Sequence, residues 1–374
     1  MLIIKDAKIH TAVDPAVIPG DILVNDGKIA KIGQNLAVDG AKIYDAAGMD
    51  VYPGFIDAHT HIGMFGFSAP ATQDDVDLYD RCVPQQRGID CINPEEPSFR
   101  DAVEAGVTCV CVGPGSVSCI GGTHVALKTH GHRVDNMVVK DPVAMKIAFG
   151  ENPKKASQDR ISTRMAIAST IRDALGRAKE YLAQKEAGTA KYDPKLEALI
   201  PVIKKEIPLK AHAHRKDDIF TAIRLAKECD VLLTLEHASD CKGIADDLAK
   251  EGYPIAAGPF IGQPKKSENQ NLDPANVVDL VEAGCNVSVM TDSPIVAEKY
   301  LPLCAGLLMR EGLDEFRALQ TITINPAKHL GIDHRVGSIE VGKDADLVFA
   351  KGCPMQMTVK PEAVFVNGQM VYSR

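Results

Sequence analysis

The chain has 374 residues, 45% of them hydrophobic and 25% charged, with a formal net charge of −8. That length allows one large domain with a small companion and a sizeable buried core. The acidic balance excludes the broad basic footprint that nucleic-acid binding needs, and no apolar run reaches the roughly 18 residues that span a bilayer. Met1–Asp14 lacks a basic segment followed by an apolar core, so it does not read as a secretory leader. Cys109 and Cys111 lie two apart in a strand-like run with no second pair to complete a metal site. The ten cysteines are expected to be reduced thiols, and a cytoplasmic location follows.

The first ~50 residues read as strands and turns. Leu2–His10 is strand-like, Asp21–Val24 and Lys28–Ile32 flank an Asp-Gly hairpin turn, and Lys42–Tyr44 adds a short strand. The middle of the chain alternates. Strand-like runs are expected at Val51–Asp57, Val107–Val112, Ala144–Phe149, Leu209–His214, Val231–Glu236, Tyr253–Ala257 and Asn286–Thr291. Amphipathic helices are expected between them, at Pro97–Ala105, Ser162–Lys185, Asp217–Cys229, Ile244–Glu251 and Pro274–Ala283. Strand-then-helix repetition over this distance predicts an α/β fold, a parallel barrel or a doubly wound sheet. Gly63–Asn93 and Gly113–Val134 show no clear period and read as long loops. Near the end, Asp344–Ala350, Ala363–Val366 and Gln369–Tyr372 are strand-like, the last two around Asn367-Gly368. Isolated hairpins are unstable, so the two β-rich ends are expected to pair.

Four strand ends carry groups suited to metal or acid–base chemistry. In Asp57-Ala58-His59-Thr60-His61 the two histidines share a face, because strand residues two apart point the same way. Paired imidazoles suit borderline divalent metals. Lys210-Ala211-His212-Ala213-His214 repeats the arrangement, Glu236-His237 follows the next strand, and Thr291-Asp292 follows the last. In a barrel all strand C-termini meet at one rim, so the four ends converge. Any one of them has a bland reading, as a satisfied core histidine or a helix-capping aspartate. The set does not.

On these segments the sequence resembles the amidohydrolase superfamily, in the branch of imidazolonepropionase-like and prolidase-like metal-dependent hydrolases. Pro53–His61, Asn325-Pro326-Ala327, Gly337–Asp346 and Val366-Asn367-Gly368 carry the resemblance, which covers nearly the whole chain. It implies a (β/α)8 TIM barrel with a small β-sandwich built from both termini, divided as 1–52 with 337–374 against 53–336. It also implies metal ligands at His59, His61, His212, His237 and Asp292. His212 is preferred to His214 as the ligand from its strand, leaving His214 to meet substrate. A bridging ligand is expected from Lys146, carboxylated, or from Glu151; if neither binds metal, the site holds one ion. His124 and Lys128, beside the glycines Gly121 and Gly122, are candidate substrate contacts, whereas His10, His329 and His334 fall outside the rim.

The expected cofactor is one or two divalent ions, Zn first, with Fe or Mn as alternatives. The expected activity is hydrolysis of a C–N bond in a cyclic amide, an N-acyl amino acid or a dipeptide, with Asp292 as general base and acid and His237 beside it. A deaminase of the same superfamily is the alternative, and a non-catalytic scaffold the third reading. A small-molecule substrate is the implied partner, with no nucleic acid and no membrane; a homo-oligomer is compatible with the sequence.

Overall fold

The structure, a computed structural model, describes residues 1–66, 73–78, 80–155, 163–264 and 266–374. Ser162, Lys265 and part of the expected loop Gly63–Asn93 lie outside the described residues. Strand β1 (Leu2–Ile9) pairs antiparallel with β2 (Ile18–Asn25), which pairs with β3 (Lys28–Gly33). Asp26 and Gly27 turn the β2–β3 hairpin with φ of 49° and 78°, the left-handed conformation that Asp-Gly supplies at low cost. β4 (Lys42–Asp45) and β5 (Asp50–Pro53) run parallel to successive halves of β1.

A single strand was expected over Val51–Asp57, but the chain breaks it at Gly54 and passes from one sheet into another. Gly54 N donates to Asp346 O, and a Cβ there would fall 2.0 Å from Thr108 Oγ1. Only glycine lets the two sheets come so close. Beyond it, β6 (Phe55–Thr60), β7 (Val107–Val112), β8 (Ile120–Lys128), β9 (Val138–Ala148), β10 (Leu209–Ala213), β11 (Leu233–His237), β12 (Ile255–Ala257) and β13 (Val287–Val289) form an eight-stranded barrel in chain order. His59 O accepts from Asp292 N at 3.2 Å and His61 N donates to Ser293 O at 2.9 Å. These bonds bring the first and last strand ends together, so the sheet nearly closes.

The helices fall between the strands. α1 (Pro97–Glu104) precedes β7, and α2 (Glu151–Lys155), α3 (Arg164–Glu186) and α4 (Pro194–Ile203) lie between β9 and β10. α5 (Lys216–Cys229), α6 (Ala245–Glu251) and α7 (Pro274–Glu282) each precede the next strand. α8 (Leu301–Arg310), α9 (Glu315–Gln320) and α10 (Ile324–Leu330) follow β13. Thr163, Asp193, Asp273 and Asp314 cap α3, α4, α7 and α9 by accepting from first-turn amides.

The barrel departs from the expected regular alternation at one strand. β8 lies in the segment read as a loop, and it runs antiparallel to both β7 and β9. All nine of its residues are buried. A strand covered on both faces has no hydrophobic alternation to reveal it, and Gly121-Gly122 lowers its strand propensity further.

After α10 the chain returns to the first sheet. β14 (Leu347–Ala350) pairs antiparallel with β5, Val348 opposite Tyr52, and then come β15 (Pro361–Val366) and β16 (Gln369–Ser373) around a left-handed Asn367-Gly368 turn. Tyr52 Oη donates to Gly352 O, 300 residues away in sequence. This first sheet has its own core, separate from the barrel's, including Ile4, Ile22, Val51, Phe349 and Phe365. All ten cysteines are free. Among the described residues, no helix is long and apolar enough to cross a membrane.

Candidate metal centre

Asp57 fixes the geometry of the first strand end. One oxygen accepts from His59 N at 2.9 Å; the other accepts from Thr291 N at 2.8 Å and Thr291 Oγ1 at 2.7 Å. Burial raises the Asp57 carboxyl to about 6. Glu298 Oε2 accepts from the Thr60 hydroxyl at 3.0 Å and lies 3.1 Å from Thr291 Oγ1, and burial raises its carboxyl too. The ends of β6 and β13 are thereby tied, and His59, His61 and Asp292 meet. Asp292 Oδ1 lies 3.3 Å from His61 Nε2 and 3.5 Å from His59 Nε2. Lys146 Nζ, from β9, is 3.3 Å from the same His59 nitrogen.

The ends of β10 and β11 supply the other half. Ligand atoms of His212, His214 and His237 all lie within 4.8 Å of one another, as do those of His59, His237 and Asp292. His237 belongs to both groups. It and Asp292 carry left-handed backbone, with φ of 73° and 50°. Such conformations cost about 1–3 kcal/mol each and persist where the surroundings enforce them.

The five histidines at the strand ends, His59, His61, His212, His214 and His237, are each held through Nδ1. His61 Nδ1 donates to Gly113 O (2.7 Å) and His237 Nδ1 to Gly258 O (3.0 Å). His59 Nδ1 is 3.1 Å from Glu236 Oε2, His212 Nδ1 2.9 Å from Ser116 Oγ, and His214 Nδ1 2.8 Å from Ser239 Oγ. Fixing one ring nitrogen orients the other toward a metal. The Nε2 atoms of His212, His214 and His237 are buried with no hydrogen-bond partner. Orphaned donors and acceptors of this kind are rare in interiors. A His/Asp donor set with each Nδ1 anchored and Nε2 left free fits a borderline divalent ion.

Below the cluster lies a buried charge network that the sequence reading missed. Glu236 accepts from Lys210 Nζ at 2.8 Å, and its other oxygen is 3.1 Å from His329 Nε2. Lys210 also donates to Ala58 O at 2.9 Å. Burial alone would raise Glu236, but the Lys210 ammonium holds it well below the usual carboxylate range. Parity was the available signal for Lys210, which shares the inward face of His212. Nothing in the sequence brings His329 there; it rises from α10, outside the rim as expected.

Electrostatics favour neutral imidazoles and a poised lysine. Burial holds His59, His212 and His214 well below the ordinary value and lowers His237 to about 4. Burial also lowers Lys146 to about 8 against the attraction of Asp292 and Glu236. Burial would raise Asp292, but hydrogen bonding from His61 and nearby positive charge lower it.

The remaining sequence candidates fall in different places. Of the two alternatives for a bridging ligand, Lys146 joins the cluster. The Glu151 carboxylate instead accepts from Ser267 Oγ and Glu268 N. His124 is fully buried behind His59, with ring centroids 5.8 Å apart. Lys128, a candidate substrate contact in the sequence, instead places Nζ in buried ion pairs with Asp344 and Asp346. Because β8 runs backwards, its C-terminal residue sits at the opposite end of the barrel, level with Cys109 in β7. A pocket of about 280 Å³ opens over the cluster, lined by His61, His212, His214, Ser239, Lys266 and Asp292 among others.

Known proteins resemble the chain in sequence and in fold. Residues 51–371 match the model of the Amidohydrolase family. A crystal structure of an amidohydrolase from Thermotoga maritima is 36% identical, with a TM-score of 0.97 over 100% of both chains. A prolidase solved with N-methylphosphonate-L-proline is 15% identical, with a TM-score of 0.64 over 100% of both chains, a likeness of fold. "Amidohydrolase tasK" of Hapsidospora irregularis is 27% identical over 93% of this chain, which spans only 39% of that protein's length. With the family match covering most of the sequence and the barrel and strand-end residues in place, the chain belongs to the amidohydrolase family.

Proposed function

We propose that the protein is a metal-dependent hydrolase of a C–N bond in a small molecule, a cyclic amide, an N-acyl amino acid or a dipeptide. The observation that carries this reading is the convergence of His59, His61 and Asp292 with imidazoles whose outer nitrogens are buried and unpartnered. His59, His61, His212, His237 and Asp292 would hold the metal, with Lys146, 3.3 Å from His59 Nε2, as the candidate bridging ligand. A divalent ion, when bound, supplies Lewis acidity and lowers the pKa of water from about 15.7 toward 7.

The chain's own residues do the rest. Asp292 stays ionised and faces the open pocket, so it accepts a proton from the attacking water. It then returns that proton to the leaving nitrogen, which departs as a neutral amine. The Glu236–Lys210–His329 network holds His59 in one tautomer. The pocket, of about 280 Å³, suits a substrate of modest size.

The test begins with chelator-treated protein reloaded with Zn, Mn or Fe. It is offered cyclic amides, N-acyl amino acids, dipeptides and amino-purines, scored for amine and for ammonia release. Amine release that depends on added metal is the expected result. Ammonia from the amino-purines alone would move the assignment to a deaminase, and failure to retain any divalent ion would end the hydrolase reading.

A further inference from the structure

The end of β10 repeats the His-x-His arrangement of β6, yet a two-histidine reading of β10 and β11 uses only His212 and His237. His214 is buried at 3% exposure, and its Nε2 has no hydrogen-bond partner. The neighbouring carboxylate oxygen, Glu268 Oε1, is 4.0 Å away, beyond hydrogen-bond reach. The ring is not loose, because Ser239 Oγ holds Nδ1 at 2.8 Å. His212 and His237 are held the same way by Ser116 and Gly258. The three ring centroids stand 4.6, 4.4 and 4.4 Å apart.

The geometry points to a tri-imidazole cation site formed by His212, His214 and His237, with His214 a metal ligand rather than a substrate contact. This rests on reading the cluster as a metal centre. The site takes a borderline divalent cation such as Zn2+ or Co2+, because three neutral nitrogen donors match those ions better than Mg2+ or Ca2+. Three protein ligands leave a fourth position open toward the pocket. The neighbouring group differs in kind: His59, His61 and Asp292 include a carboxylate that offsets part of the ion's charge. The two sites meet at His237.

The experiment uses the full chain, freed of metal by chelation and titrated with Co2+. Uptake is followed by calorimetry and by the visible absorption of the bound ion. His214→Gln is expected to weaken one bound ion by at least ~10-fold and to change the cobalt spectrum. His214→Ala should recover the spectrum when free imidazole is added. Ser239→Ala, which removes only the hydroxyl holding the ring, should weaken the same ion by ~10-fold and serves if the His214 variants do not fold. Unchanged affinity and spectrum in the variants, with normal Co2+ binding by the parent chain, would overturn the tri-imidazole site and leave the hydrolase reading intact. A parent chain that binds no Co2+ would remove both.

Discussion

Strand β8 carries a buried titratable side chain toward each end of the barrel, and the two meet different surroundings. Lys128 finds Asp344 and Asp346, and Arg335 bonds Asp344 at 2.9 Å. Four residues earlier, His124 has no partner at either ring nitrogen. At the rim, the Nε2 atoms of His212, His214 and His237 likewise lack a partner, although each Nδ1 is held. A buried polar group left unpaired costs about 1–3 kcal/mol, so the unpaired end is built against stability and the paired end for it. Burial alone does not separate a structural ion pair from a ligand site; satisfaction does.

The sharpest test of that contrast is Asp292→Asn, with an expected fall of ~10²–10⁴-fold in turnover at equal metal occupancy. Asn keeps the shape but cannot accept a proton at neutral pH. The metal-free melting temperature should hold. Turnover close to that of the parent chain would remove Asp292 as the proton carrier.

At the paired end the effect should reverse. Lys128→Met leaves Asp344 and Asp346 buried with less compensation, so unfolding stability should drop by roughly 3 kcal/mol. Metal content should stay the same. A normal denaturation midpoint with lost metal would break the comparison, because Lys128 would then belong to the functional end.

A smaller effect is expected from pH in the metal-free protein. His59, His124, His212, His214, His237 and His329 are all lowered from 6.5 by burial, His237 to about 4. As pH falls below 6.5 the unfolded chain takes up protons that the folded chain refuses, so stability is lost across the window from 6.5 toward 4. Asp57, raised to about 6, and Asp75, Asp218, Glu268 and Glu298, also raised by burial, work the other way. With six imidazoles against five carboxyls, the melting temperature should fall on acidification, and saturating metal, which binds only neutral imidazole, should extend the fall to lower pH. A metal-free melting curve indifferent to pH over this window would show that the imidazoles are not held neutral.

The smallest effect belongs to the surface. His132 pairs with Glu95 where both are exposed, and His132→Ala should leave stability and metal content unchanged. A measurable loss of bound metal would mean that an exposed histidine outside the barrel rim takes part.

Much of this was legible in the sequence, for identifiable reasons. His59, His61, His212, His214 and Asp292 end strands whose apolar runs are plain, and the Asp-Gly and Asn-Gly turns announce the sheet shared by the chain ends. What stayed hidden was whatever depended on direction or on distant partners. β8 carries no period because both faces are covered, so neither its direction nor the end of the barrel that Lys128 reaches could be read. Lys146 and Glu151 were level until backbone geometry put Lys146 Nζ beside His59 and turned Glu151 toward Ser267. Glu236 was visible as a letter beside His237, but its bonds come from Lys210 and His329, which sequence spacing does not bring together.

The pairing of β5 with β14 also bears on how the chain is made. Tyr52 leaves the ribosome long before Val348, its partner across the sheet, and every barrel strand is synthesised in the interval. The first sheet therefore waits with one strand edge uncovered while the barrel is assembled beside it. Uncovered edges invite pairing with other chains, and contacts this distant in sequence slow folding. Completion of the small sheet is thus a late event that seals the fold, and nascent chains are most exposed to aggregation just before it.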